Sequence, residues 1–165
     1  TLNIDNPKLN CRLEGFNQFS PKRIILDRNL EINLKSYIAK SIKNKNTIIF
    51  HNSNDKSKIK LLKKRGTTLI KQSTDKYKNL DLKKILKDLY KMEIRNLLVE
   101  GGDILTKNFL QKKLFNEFYM FRSSKNLSKN KKHVNFTSFS ILNTKYNKHK
   151  INSELASDKL TIYKN

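Results

Sequence analysis

The residues best placed to do chemistry in this sequence are Glu100, Gly101, Gly102 and Asp103, which follow the apolar run Leu97-Leu98-Val99. A short apolar run closed by two glycines predicts a buried strand that stops abruptly. Glycine lacks a Cβ, so the backbone there can turn tightly and let another molecule approach. Ile104, Leu105, Asn108 and Phe109 then follow at helical spacing. Strand, turn and helix N-terminus would thus meet at one point, with free N–H groups facing an anion and a carboxylate beside them. Open α/β sheets bind their ligands at the carboxyl ends of strands. The motif alone serves equally well as a plain strand-to-helix connection with a solvated Glu100.

Elements able to position that turn can be read on both sides of it. Lys22 to Asp27 and Thr47 to Phe50 predict strands, the first with Asp27 at its carboxyl end. Ser57 to Arg65 predicts a helix stopped by Gly66, and Thr67 to Ile70 a third strand. Asp81 caps an amphipathic helix in which Leu82, Ile85, Leu86 and Leu89 share one face. After the Leu97–Val99 strand and a helix from Asp103 to Lys112, strands are expected at 117–121, 136–142 and 159–163. The segment 1–12, broken by Asn6-Pro7, reads as an ordered loop. Strands alternating with helices and ending in a strand pair predict an α/β fold, a mainly parallel sheet flanked by helices with an antiparallel C-terminal strand pair.

Composition narrows the functional classes. Four glycines in all leave neither G-x-G-x-x-G nor a Walker A loop to be written. His51, His133 and His149 lie far apart in polar stretches and are expected to be solvated, with no paired Cys/His spacing, so no metal site is expected. Cys11 is the single cysteine, which fits a reducing cytoplasm. No apolar run is long enough to cross a membrane. The formal charge of +22 points at first to nucleic acid. Its lysines are spread through nearly every segment, however, with no interleaved aromatics and no helix-turn-helix or zinc-finger spacing, so no specific nucleic-acid site is expected. Phosphorylated ligands should still be attracted at low salt.

Three motifs in order resemble a known family. They are Thr1, Asp5-Asn6-Pro7, Leu9 and Arg12; then Pro21-Lys22-Arg23-Ile24-Ile25-Leu26-Asp27; then Leu98-Val99-Glu100-Gly101-Gly102 with Phe109-Leu110 and Leu114-Phe115-Asn116-Glu117 after it. Over roughly the first 120 residues the chain resembles the reductase domain of the bifunctional deaminase/reductase of riboflavin biosynthesis, which is dihydrofolate-reductase-like. The resemblance implies NADPH-dependent reduction of the ribosyl side chain of a phosphorylated aminopyrimidinone, 5-amino-6-(5-phosphoribosylamino)uracil, to the ribityl form. It implies catalytic roles for Asp5 and Glu100 and substrate contacts from Leu9, Arg12 and Glu100, with Arg12 as the phosphate clamp. Cofactor contacts are implied for Thr1, Asp5, Arg28, Gly102, Asp103, Ile104, Leu105, Thr106, Lys107 and Asn108.

The sequence departs from the family in places. Arg28 stands where relatives carry a small hydroxyl residue, Asp103 sets a carboxylate where phosphate should lie, and Arg122-Ser123-Ser124-Lys125 replaces an Ala-Pro segment. In the family a first strand, substrate-binding residues and a helix precede the position of Thr1. Residues 1–165 are therefore expected to form a single reductase domain lacking its first strand and helix. No zinc-deaminase signature is present, so deamination falls to a separate chain or to a part outside this sequence. The resemblance also implies a homodimer. The alternatives are another NADPH-dependent reductase of the same fold, or a non-catalytic basic nucleic-acid-associated protein.

Overall fold

A computed structural model describes residues 2–43, 45–124, 136–151 and 158–165. The chain forms two compact units, Thr1–Leu97 and Leu98–Asn165.

The first unit is built on a parallel sheet of three strands, β1 (Arg23–Leu26), β2 (Thr47–His51) and β3 (Thr68–Lys71), in the order β1-β2-β3. All five residues of β2 are buried, as expected of a central parallel strand covered on both faces. Ile49 joins Ile25, Leu30, Ile32, Ile38, Ala39, Ile42 and Leu62 in one core, while Ile48 and Phe50 point to the opposite face. Five helical segments accompany this sheet: α1 (Leu2–Asp5), a 3-10 turn at Asn17–Phe19, α2 (Tyr37–Lys40), α3 (Lys56–Lys64) and α4 (Leu82–Lys91). The expected cap of α4 holds, the Asp81 side chain accepting from the N–H groups of Lys83 and Lys84. Helix α3, expected from Ser57, starts one residue earlier at Lys56, and the Asp55 side chain caps it by accepting from the Lys58 N–H. Gly66 stops α3 with a φ of +91°, where only glycine is unstrained.

The amino end of this sheet is held by Arg23. Its guanidinium is buried and donates to the Ser41 hydroxyl and carbonyl (2.7 and 3.0 Å), the Asn46 side chain (3.1 Å) and the Thr47 hydroxyl (2.8 Å). Four neutral oxygens thus replace the lost water, the condition under which a buried cation is tolerable.

The second unit contains α5 (Asp103–Gln111), β4 (Glu117–Arg122), α6 (Phe139–Lys145), β5 (Asn147–Ile151) and β6 (Lys159–Lys164). Its sheet is antiparallel in the order β4-β6-β5. Leu110, Leu142 and Tyr163 form its core, with Phe115, Phe118, Met120, Ile141 and Tyr146 packed against them.

Four expectations are corrected here. Residues 1–12 are not all loop, because Leu2–Asp5 makes one helical turn. The stretch 136–142 is not a strand. The Asp103 carboxylate takes the Thr137 and Ser138 N–H groups, which starts a helix and overrides the local alternation. The C-terminal strand pair is a three-stranded sheet. Its extra member, β5, reads Asn-Lys-His-Lys-Ile and has the lysine-rich, weakly apolar character of an edge. Last, Leu97-Leu98-Val99 is not a buried strand. It joins no sheet, and Leu98 is 83% exposed. An apolar run becomes a strand only where neighbours pair its backbone, and none does among the described residues.

Candidate functional site

Segment 2–12 of the first unit carries Asp5, Leu9 and Arg12. It is stitched to the loop before α2 by asparagines. Asn3 accepts from the Asn33 N–H (3.1 Å) and donates to the Glu31 carbonyl (3.0 Å), while Asn6 accepts from the Tyr37 N–H (2.8 Å). Asn6 and Leu9 both have positive φ, 43° and 49°. For leucine that conformation costs roughly 1–2 kcal/mol, offset by its packing onto the sheet core. The segment is therefore held in one course, with Asp5 and Arg12 exposed and neither engaged by a partner among the described residues. Thr1 lies outside the described residues.

At the carboxyl end of β1, Asp27 accepts from the Glu31 and Ile32 N–H groups (2.8 and 2.7 Å) and shapes the loop containing Arg28. Arg28 is exposed, and its guanidinium donates to the Lys78 carbonyl (2.5 Å) and the Asn29 side chain (3.2 Å). It bridges the exit of β1 to the loop before α4. Next to it in the sheet, β2 ends on His51, which corrects the expectation of a solvated histidine. His51 is 3% exposed, and its Nδ1 has no hydrogen-bond partner. Burial pushes its pKa below the usual histidine value. The signal was present in the sequence, since His51 directly continues the apolar run Thr47–Phe50. His149 lies exposed on β5, and His133 falls outside the described residues.

The glycine turn belongs to the second unit. A Cβ added at Gly101 would come within 2.7 Å of the Leu105 side chain, so the first turn of α5 folds back over this residue. Gly102 is the N-cap in extended conformation, with its carbonyl accepting from the Thr106 N–H (3.2 Å). The N–H groups opening α5 are the ones a helix cannot satisfy itself, and the helix dipole adds to their pull on an anion. Ile104 and Lys107 are exposed, Leu105, Thr106 and Asn108 half-buried, and Asn108 donates to the Ile104 carbonyl (2.9 Å). Glu100 stands exposed just before the turn, without a partner among the described residues.

Asp103 needs separate treatment, because a free carboxylate would repel a phosphate at this helix start. It is not free. One oxygen accepts from the N–H groups of Thr137 and Ser138 (3.0 and 3.2 Å) and the Ser138 hydroxyl (2.9 Å), and the other from the Thr137 hydroxyl. The Thr137 hydroxyl, followed by the donors of Ser138, holds its pKa below the ordinary aspartate value. The carboxylate ties α5 to the start of α6, and the backbone N–H groups remain the anion-attracting feature. Phosphate-bearing ligands fit such a turn.

Among the described residues no cluster of His, Cys, Asp and Glu could hold a metal ion, and no helix is long and apolar enough to cross a membrane.

A parallel sheet with crossover helices, an antiparallel sheet and a Gly-Gly helix start define an α/β domain of the dihydrofolate-reductase-like kind. Solved structures agree. The chain superposes on Acinetobacter baumannii RibD with a TM-score of 0.73 at 20% identity, covering 99% of this chain and 44% of that one. It also superposes on a pyrimidine reductase-like protein of Corynebacterium diphtheriae at 0.67 and 13% identity, covering 99% and 72%. In sequence it is 30% identical over 125 residues to the riboflavin biosynthesis protein RibD of Actinobacillus pleuropneumoniae and 31% identical over 125 to that of Aquifex aeolicus. It spans about a third of the length of these curated relatives (32% and 33%). Residues 1–153 match the RibD C-terminal domain, and the chain belongs to that family.

Proposed function

We propose that this chain is the reductase domain of riboflavin biosynthesis, reducing the ribosyl group of 5-amino-6-(5-phosphoribosylamino)uracil to ribityl with NADPH. The observation that carries the reading is the helix start at Gly102. Its backbone N–H groups have no partner within the helix, and the carboxylate at the helix start, Asp103, is engaged by Thr137 and Ser138. Bound NADPH supplies the hydride, and the protein's work is orientation, which can be worth roughly 7–11 kcal/mol. The N–H groups from Gly102 onward hold cofactor phosphate, with Arg28 available to a 2′-phosphate. Arg12 clamps the substrate phosphate through its planar fork. Glu100 and Asp5 hydrogen-bond the sugar hydroxyls, and either can pass a proton to the opened sugar. Residues 1–165 are read as one reductase domain.

The test is a fluorescence titration with NADPH, NADH and ATP, followed by turnover with the phosphorylated substrate. Saturable binding that prefers NADPH at ~0.15 M salt is expected, because at a Debye length of about 8 Å bulk attraction is largely screened. Glu100→Gln should bind NADPH normally and lose roughly 100-fold in turnover. Binding that ignores the nicotinamide and fades with salt would leave only a polyanion-binding surface. Normal turnover by Glu100→Gln would remove Glu100 from the site.

A further inference from the structure

Asp27 lies half-buried at the carboxyl end of β1. Its own N–H donates to the Phe50 carbonyl (3.0 Å), so it carries the β1–β2 ladder one step past the last paired residues. Its side chain reaches forward along the chain. One carboxylate oxygen accepts from the Glu31 N–H (2.8 Å) and the other from the Ile32 N–H (2.7 Å), while the Asp27 carbonyl accepts from the Leu30 N–H (3.1 Å). An ionised carboxylate makes stronger bonds to backbone N–H groups than a neutral acceptor does. That strength has a use, because Leu30 stands at a φ of +58°, a conformation leucine does not adopt unaided. The side chains of Leu30 and Ile32 both enter the core of the first unit. From Asp27 to Ile32 the loop therefore has one course, and Asp27 sets it.

Two segments hang on this loop. Arg28 lies inside it, with its carbonyl accepting from the Asn52 N–H (2.8 Å) and its guanidinium donating to the Lys78 carbonyl (2.5 Å). The second segment is α1. The Asn3 side chain donates to the Glu31 carbonyl (3.0 Å) and accepts from the Asn33 N–H (3.1 Å). Asn3 and Asp5 share the single helical turn of α1. Glu31 is thus gripped at its N–H by Asp27 and at its carbonyl by Asn3, and a short chain of hydrogen bonds runs from Asp27 to the turn that carries Asp5.

We propose that Asp27 is a positioning residue for the reductase reaction, setting Arg28 for the cofactor's 2′-phosphate and, through Glu31 and Asn3, Asp5 for the sugar of the substrate. This rests on the reductase reading and adds to it a residue that acts only through others. Because one loop serves both segments, loosening it must show in cofactor choice and in substrate affinity together. A role confined to stability shows in neither. Unfolding lowers the amount of active protein, but it leaves a ratio of dissociation constants and a KM where they were.

The test takes the whole chain and measures the dissociation constants of NADPH and NADH by fluorescence titration, then the KM of the phosphorylated substrate at saturating NADPH. Asp27→Asn keeps the side chain's size and one carbonyl acceptor but loses the charge. It should lower the preference for NADPH over NADH by ~5-fold and raise the KM by ~5-fold, the change expected when about one hydrogen bond is lost. Asn3→Ala cuts only the branch to Asp5, so it should raise the KM by a similar factor and leave the cofactor preference unchanged. Asn3 is exposed, and this second variant decides alone if Asp27→Asn does not fold. The proposal is overturned if Asp27→Asn moves neither quantity or only one of them. It is overturned equally if Asn3→Ala leaves the KM as it was or alters the cofactor preference. A wild-type chain with no saturable NADPH binding removes the reductase reading itself, and this proposal with it, before any variant is compared.

Discussion

Two apolar runs of similar length meet opposite fates in this molecule. Thr47–His51 lies between two strands and is buried at every residue. Glu117–Arg122 has a strand on one side only among the described residues, and none of its six residues is fully buried. Composition does not separate them, since both combine large apolar side chains with polar ends. Coverage of the two faces does. Both faces of Thr47–His51 are packed against other parts of the first unit, whereas Glu117–Arg122 leaves Tyr119 and Phe121 in water. Leu97–Val99, in no sheet among the described residues, remains an exposed apolar segment.

The sharpest way to break this comparison is to truncate one phenylalanine in each run. Phe50 is fully buried, so Phe50→Ala should lower stability by roughly 3–5 kcal/mol. Phe121 is 66% exposed, so Phe121→Ala should stay within about 0.5 kcal/mol. Urea unfolding of the whole chain reads both, and equal losses would refute the contrast. A smaller effect is expected where the second unit depends on one polar tie. Asp103→Ala removes the acceptor for Thr137 and Ser138 and should cost about 1–2 kcal/mol, seen as faster amide exchange across α6 with α3 unaffected.

The smallest effect separates the units by acidity. His51 has a folded pKa below its unfolded value of 6.5. The unfolded chain therefore takes up the proton first, and stability is full above about pH 6.5 and declines as pH falls toward the folded value. His51→Gln should flatten that slope below about pH 6.5. An unchanged slope would place the sensitivity elsewhere.

The same logic explains how far the sequence could be read. Strands β1, β2 and β3 and helices α3 and α4 were legible, because apolar periodicity, the stop at Gly66 and the cap Asp81 are local signals. The turn Gly101-Gly102 and the start of α5 at Asp103 were legible for the same reason. What could not be read depended on distant partners. Leu97–Val99 looked like a strand, but pairing is decided elsewhere. Residues 136–142 looked like a strand until a carboxylate over thirty positions away captured Thr137 and Ser138. The burial of His51 required knowing that β2 is central. The motif carrying Asp5, Leu9 and Arg12 gave the family without the local course of the chain, which hangs on Asn3 and Asn6 reaching loops some thirty residues away.

The two ends of the parallel sheet are fastened by opposite kinds of chemistry. At the amino end the Arg23 guanidinium is a permanent cation among four neutral acceptors, so the tie is the same in mild acid as at neutrality. At the carboxyl end the sheet closes on the buried imidazole of His51, whose neutral form burial favours. A proton taken up there would have to be solvated where ligands of open α/β sheets sit, so acidity acts on the ligand end of the sheet and leaves the other end alone.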